Sequence, residues 1–106
     1  MTHLDTTNTT IRNIPLNGKS MNPHMRELTF LDSGAVIFIS YRTPVAAKVP
    51  TGRFGEWEYL RTQRNHSVTT SKHLNKWFSR NTCKADVVKL VPQAVLDSFI
   101  PSNVSV

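Results

Sequence analysis

Positive side chains recur at every fourth position in one short stretch, at Lys72, Lys76 and Arg80. Residues four apart lie on the same side of an α-helix, so these three would form one basic stripe. Leu74 and Phe78 would then point to the opposite side. Like charges at this spacing repel one another, and the segment has no acidic residue to offset the repulsion. The pattern therefore predicts that the stripe binds an anion from outside the molecule.

The basic character extends beyond the stripe, because residues 60–85 contain no Asp or Glu. His73 and Trp77 fall at the seam between the stripe and the apolar side, where a ring could stack on a base or a sugar. An aromatic residue at helical spacing is more often part of a core, and for Trp77 alone that interpretation is the stronger. The candidate residues for binding nucleic acid or a protein partner are Arg61, Arg64, Lys72, His73, Lys76, Trp77 and Arg80.

Patterns for catalysis or metal binding are weak in this chain. Glu56 and Glu58 share one face of a predicted strand and could act as an acid–base pair, but glutamates on an exposed strand are usually solvated. His66, His73 and Cys83 do not have the spacing of metal ligands. We therefore expect a protein that is not an enzyme and that holds no metal or cofactor.

The charge balance points to polyanionic partners. The 106 residues include 13 Lys and Arg against 7 Asp and Glu, which gives a net charge of +6. Such a balance favours nucleic acid or an acidic protein surface. The single cysteine, Cys83, excludes an internal disulfide and is typical of a reducing environment. No apolar run is long enough for a membrane helix, so we expect a cytoplasmic protein with no membrane contact.

One apolar stretch, Ala35 to Tyr41, predicts the strand around which the fold is organised. Its bulky residues lie on both alternating sides, as in a strand that is covered on both faces. Further strands are expected over residues 27–31, 44–49 and 56–62, and residues 87–91 also have the composition of a strand. Helices are expected over 71–80 and 92–100. The predicted fold is α+β, an antiparallel meander of three to four strands packed with one central and one C-terminal helix.

The predicted domain occupies residues 23–101. Residues 1–22 are rich in Thr and Asn and are expected to form a flexible polar arm, while residues 102–106 form a tail. Asn17 and Gly18 are typical of a hairpin turn, and Pro15 would confine such a hairpin to an edge of the sheet. A sheet face that no helix covers would favour a homodimer.

Three segments carry a family resemblance. They are Ser40-Tyr41-Arg42-Thr43-Pro44-Val45-Ala46, Tyr59-Leu60-Arg61-Thr62 and the stretch from Ser67 to Trp77, SVTTSKHLNKW. Together they resemble a small uncharacterised domain family of tailed phages and archaea, over about the middle 40 residues. The resemblance implies a phage-encoded protein of unknown activity, and it assigns no functional residue.

Three functions are compatible with these observations. The first is a small basic module that contacts the nucleic-acid backbone through the face of a basic helix. The second is a phage-encoded module that binds and modulates an acidic host protein, and the third is a structural component of the virion. The sequence does not distinguish DNA from RNA.

Overall fold

The chain folds into a six-stranded sheet with a helix on each face. The computed structural model describes residues 9–16, 19–53, 55–82 and 87–101. Within these residues the strands lie across the sheet in the order of the sequence. They are β1 (Thr9–Leu16), β2 (Lys19–Phe30), β3 (Val36–Ser40), β4 (Thr43–Pro50), β5 (Trp57–Thr62) and β6 (Val88–Val91), and the helices are α1 (Val68–Asn81) and α2 (Gln93–Asp97).

The sheet is mixed, so the predicted antiparallel meander of three to four strands is wrong. Strands β1 to β5 pair antiparallel, whereas β6 pairs parallel to β5. Helix α1 lies between these last two strands in the sequence and returns the chain to the starting end of β5. A strand that follows such a crossover runs parallel to the strand before it.

The described part of the expected arm, residues 1–22, belongs to β1 and the start of β2. Backbone pairing holds this polar segment in the sheet, and opposite charges face each other across it at Arg12 and Glu27. Pro15 lies in β1, an edge strand, where a missing amide hydrogen is tolerated. The Asn17-Gly18 turn, Cys83 and the predicted tail lie outside the described residues.

Strand β3 occupies the centre of the sheet, as its apolar pattern predicts. Phe38 belongs to the core on the α1 side, while Ile37 and Ile39 belong to the core on the α2 side. All three side chains are fully buried. The alternation therefore places one hydrophobic core on each face of the sheet.

A β-bulge in β4 interrupts the pairing with β3. Phe38 pairs with Ala46 and Ile39 pairs with Pro44, so Val45 has no opposite residue. Val45 and Ala46 consequently both pack into the core on the α1 side. A bulge is also a position at which a strand accepts proline, which cannot donate to the ladder.

Helix α1 begins three residues earlier than the predicted start at Ser71. The Ser67 hydroxyl caps the helix by accepting a hydrogen bond from the Thr70 amide, 3.2 Å away. At the other end, the Asn81 side chain donates to the Trp77 carbonyl and the Thr82 hydroxyl donates to the Phe78 carbonyl. Both ends of the helix are thus fixed by side-chain hydrogen bonds.

Helix α2 is shorter than the predicted helix over residues 92–100. Pro92 is its N-cap residue and Leu96 is its fully buried side chain. Val95 on the same helix is 37% exposed. Phe99 and Ile100 follow the helix and pack against the core on the α2 side.

Candidate nucleic-acid interface

The outer side of α1 carries the predicted basic stripe. Lys72, Lys76 and Arg80 are all exposed, and successive members are separated by about 6 Å along the helix axis. The opposite side of the helix is buried through Leu74, Trp77 and Phe78, which belong to the core on the α1 side, and through His73. The helix therefore presents its cations to solvent together.

A buried carboxylate holds α1 on the sheet. The Trp77 indole Nε1 donates to Glu27 Oε2 at 2.8 Å, and Arg12 donates to Glu27 Oε1 through Nε at 3.0 Å and Nη2 at 2.8 Å. Glu27 is only 7% exposed, so its negative charge is satisfied within the fold. The same carboxylate thereby connects β1, β2 and α1.

The structure places Trp77 in the core and not at the surface of the stripe. Its side chain is fully buried, stacks on Phe38 with ring centroids 5.4 Å apart and contacts the edge of Phe78. A ring in this position cannot stack on a base. Of the two aromatic candidates, only His73 borders a cleft that is open to solvent. His73 is also buried, with 7% of its surface exposed.

The carboxylates of the described strands and helices are distributed unequally between the two faces of the sheet. Of the carboxylates on the described strands and helices, only Glu27 faces α1. Glu58 lies on the α2 side, where it pairs with Lys89 at 3.0 Å, and Asp97 belongs to α2. Within the described residues, neither lysine of the stripe takes part in an ion pair. The positive charge on the α1 side is therefore largely uncompensated.

A cleft of about 530 Å³ runs between α1 and the first half of β2. The two lysines of the stripe, Lys72 and Lys76, line one wall together with the polar side chains Asn75 and Ser79. Asn22 and Met25 of β2 line the other wall. Lysine, amide and hydroxyl groups are the donors that proteins use to contact phosphate oxygens. The sequence does not predict the cleft, because residues on its two walls, such as Asn22 and Asn75, are 53 positions apart.

A chain of hydroxyl groups begins at the exposed Ser67, continues through the buried Thr70 and Ser40, and ends at His73. The Ser67 hydroxyl donates to Thr70 Oγ1 at 3.2 Å, Thr70 Oγ1 lies 3.3 Å from Ser40 Oγ, and Ser40 Oγ lies 2.9 Å from His73 Nδ1. Each hydroxyl can therefore donate its proton to the next group in this series, and the Ser40 hydroxyl can donate to His73 Nδ1. Ser40 is 1% exposed, so this Ser–His pair is part of the packing between β3 and α1 and is not an accessible nucleophile.

The environment of His73 favours its neutral form. Burial, with the nearby charges of His24 and Lys76, lowers the pKa of His73 from its ordinary value of 6.5. A neutral imidazole can accept the Ser40 hydrogen bond at Nδ1 and keeps its proton on Nε2. His73 also belongs to a stack in which Tyr41 lies between two imidazoles, 4.4 Å from His24 and 5.6 Å from His73 by ring centroids.

The two candidate cations outside the stripe, Arg61 and Arg64, lie near α1. Arg61 is on the α1 side of β5, with its guanidinium carbon 5.9 Å from the centre of the Phe78 ring, and Arg64 is exposed in the connection that leads to α1. Arg42 occupies the turn between β3 and β4 at φ 77°, next to Tyr41 of the stack. Arg53 follows β4 at its opposite end and belongs to a different region of the surface.

Other classes of site are not found in the part of the chain that the structure describes. No group of three His, Cys, Asp or Glu side chains is placed to hold a metal ion. Among the described helices none is sufficiently long and apolar to cross a membrane. Glu56 and Glu58, the pair considered for acid–base chemistry, have separate partners in Thr51 and Lys89.

Residues 6–97 match the model of a family of unknown function, DUF8033. The chain belongs to this family. The match to DUF8033 covers all six strands and both helices, and so extends well beyond the middle 40 residues that carried the sequence resemblance. No curated protein and no solved structure shows a significant match to the chain.

Proposed function

We propose that this protein is a small, basic, non-enzymatic module that binds the phosphate backbone of nucleic acid along the outer side of α1. The observation that carries the proposal is the exposed row of Lys72, Lys76 and Arg80 on a helix that contains no acidic residue. Glu27, whose carboxylate contacts the helix through Trp77, is already engaged by Arg12. The positive field of this face is therefore available to an external polyanion.

The chemistry of the face favours backbone contacts over base readout. Lys72 and Lys76 are point charges on flexible stems, which suit phosphates in many geometries. Asn75 and Ser79 add neutral donors in the cleft between them and β2. Trp77 is fully buried, so it is not available to stack on bases. We therefore expect binding that depends strongly on salt and little on sequence.

The resemblance to a family of tailed phages and archaea supports a phage-encoded protein that acts in the cytoplasm of the host. The alternative partner in such a host cell is an acidic host protein, which would bind the same Lys and Arg side chains of α1. The two partners are distinguished by direct binding to purified DNA and RNA. Failure of both nucleic acids to bind, with nuclease-resistant retention of one host protein by this surface, would favour the second partner.

The test compares two double variants that lose the same charge. Lys72→Gln with Lys76→Gln removes two cations from the α1 face, whereas Arg53→Gln with Lys89→Gln removes two from elsewhere. Fluorescence anisotropy with labelled DNA and RNA measures affinity over a range of salt concentrations. Each phosphate contact to duplex DNA contributes about 0.9 to the slope of log K against log salt, so the first variant should lower the slope by about 1.8.

The control variant should bind nearly as the parent does, because its cations lie outside the α1 face. Circular dichroism establishes that both variants are folded. Unchanged affinity in the folded Lys72→Gln, Lys76→Gln variant contradicts the proposal. An equal loss in both variants contradicts it as well, because the binding would then follow net charge alone.

A further inference from the structure

A second cavity lies on the other flank of α1, between the helix and the end of β5. Its volume is about 230 Å³, and it is more enclosed than the cleft between α1 and β2. It is lined by the end of β5, the connection to α1, the helix itself and β6. The side chains that give it its chemical character are Arg61, Arg64, His66, Ser71, Leu74 and Leu90.

This cavity has the composition of an anion site. Two arginines, a histidine and two hydroxyl residues, Thr62 and Ser71, line it, and none of the described residues in its lining is acidic. The guanidinium of Arg61 is kept on the helix side of the sheet by its contact with the Phe78 ring. Guanidinium groups match the oxygens of a phosphate through pairs of parallel hydrogen bonds. Leu74, which is buried, contributes an apolar side chain to the same lining.

The wall that contains His66 is held by a fixed network. The amide nitrogen of Gln93 donates to the Pro44 carbonyl at 2.6 Å, so its oxygen Oε1 must act as an acceptor. This oxygen accepts from the Thr62 hydroxyl at 2.8 Å and lies 3.2 Å from His66 Nε2. His66 therefore carries a proton on Nε2. The imidazole is oriented before any ligand arrives, and its Nδ1 is not used in this network.

We propose that this cavity holds the terminal phosphate of a nucleic-acid strand whose backbone continues over α1. The inference rests on the proposed function. The cavity is smaller and more enclosed than the cleft, so it suits a terminal phosphate, which has three exposed oxygens, better than an internal phosphodiester with a sugar on each side. Its second negative charge also matches the two arginines. The lysine stripe lies about one helix width away, 10–12 Å, so one strand can occupy both places.

The experiment compares oligonucleotides of one sequence that end in a 5′-phosphate, a 3′-phosphate or hydroxyl groups only. The parent protein should bind one of the phosphorylated strands about tenfold more tightly than the hydroxyl strand, the effect of one hydrogen bond to a charged group. Arg64→Gln should abolish this preference, and Arg53→Gln, a matched change away from the cavity, should keep it. Titration with inorganic phosphate should shift the NMR signals of residues 61–66.

The outcomes separate the inference from the function on which it rests. Equal binding of all three strands by the parent protein overturns the terminal-phosphate site and leaves backbone binding in place. A preference that survives Arg64→Gln in a folded protein overturns the assignment to this cavity. Failure of every strand to bind overturns both proposals, and phosphate that shifts no signal in residues 61–66 counts against the cavity alone.

Discussion

Replacing Trp77 by Phe tests whether the bond to Glu27 anchors α1 to the sheet. The substitution removes the 2.8 Å hydrogen bond to the carboxylate, and hydrogen bonds to charged groups are worth about 1.5–3 kcal/mol. Loss of buried ring atoms adds about 1 kcal/mol. The free energy of unfolding should therefore fall by about 3 kcal/mol, a large part of the roughly 5–15 kcal/mol that a domain usually has.

Urea unfolding followed by circular dichroism measures this loss. With an m-value of about 1.5 kcal/mol per molar, the midpoint should fall by roughly 2 M. The second tryptophan supplies the matched control, because Trp57 is 39% exposed and Trp57→Phe should change stability by less than about 0.5 kcal/mol. A loss below about 1 kcal/mol for Trp77→Phe, or an equal loss for both variants, would refute the anchoring role.

A double-mutant cycle with Glu27→Gln assigns the effect to the pair. Glutamine keeps an oxygen for the Trp77 indole but removes the charge that Arg12 contacts. If the indole and the carboxylate act together, the double variant should be more stable than the sum of the single losses predicts, by about 0.5–3 kcal/mol. Additive losses would mean that the charge of Glu27 does not strengthen the contribution of Trp77.

Two further predictions concern the end of α1 near Tyr41. Burial and the charges of His24 and Lys76 lower the pKa of His73 below 6.5, so the unfolded chain takes up a proton more readily than the folded chain does. The free energy of unfolding should therefore fall as the pH drops through about 6.5. Urea unfolding at several pH values should show a shallower fall for His73→Gln, and identical pH profiles would contradict this. Arg42 has φ 77°, a conformation that costs a side-chain-bearing residue about 1 kcal/mol, so Arg42→Gly should raise the free energy of unfolding by about that amount, while Arg53→Gly should not.

The central strand and the basic helix were accessible from the sequence because each follows a clear period. The two-sided apolar pattern of residues 35–41 corresponds to β3, whose side chains enter both cores. The spacing of four between Lys72, Lys76 and Arg80 corresponds to one exposed side of α1. Both features depend on local periodicity, and the surrounding fold does not alter them.

The pairing of the outer strands could not be predicted from the sequence in the same way. Strand β1 is polar and is held by pairing with β2 and by the contact of Arg12 with Glu27, 15 positions away. Strand β6 has only four residues, and its parallel direction follows from the crossover through α1. A sequence pattern reports how a segment alternates, but it does not report which segment will pair with it.

The parts of the site that depend on distant contacts were also missed. Ser40 and His73 are 33 positions apart, and Trp77 and Glu27 are 50 apart. A lone glutamate in a predicted strand gives no sign that it is buried. The indole of Trp77 was correctly weighed as a core residue by its spacing, but its polar partner required the tertiary structure.

Because α1 lies between two strands that pair with each other, its two ends are held differently from those of a terminal helix. Strand β5 precedes it, strand β6 follows it, and the parallel ladder ties the two together. A helix enclosed in this way cannot fray from a loose end, as a segment near a chain terminus does. The backbone geometry of the cationic row is consequently set in advance. The ordering cost of capturing a ligand is then confined to the side-chain rotamers of two lysines and an arginine.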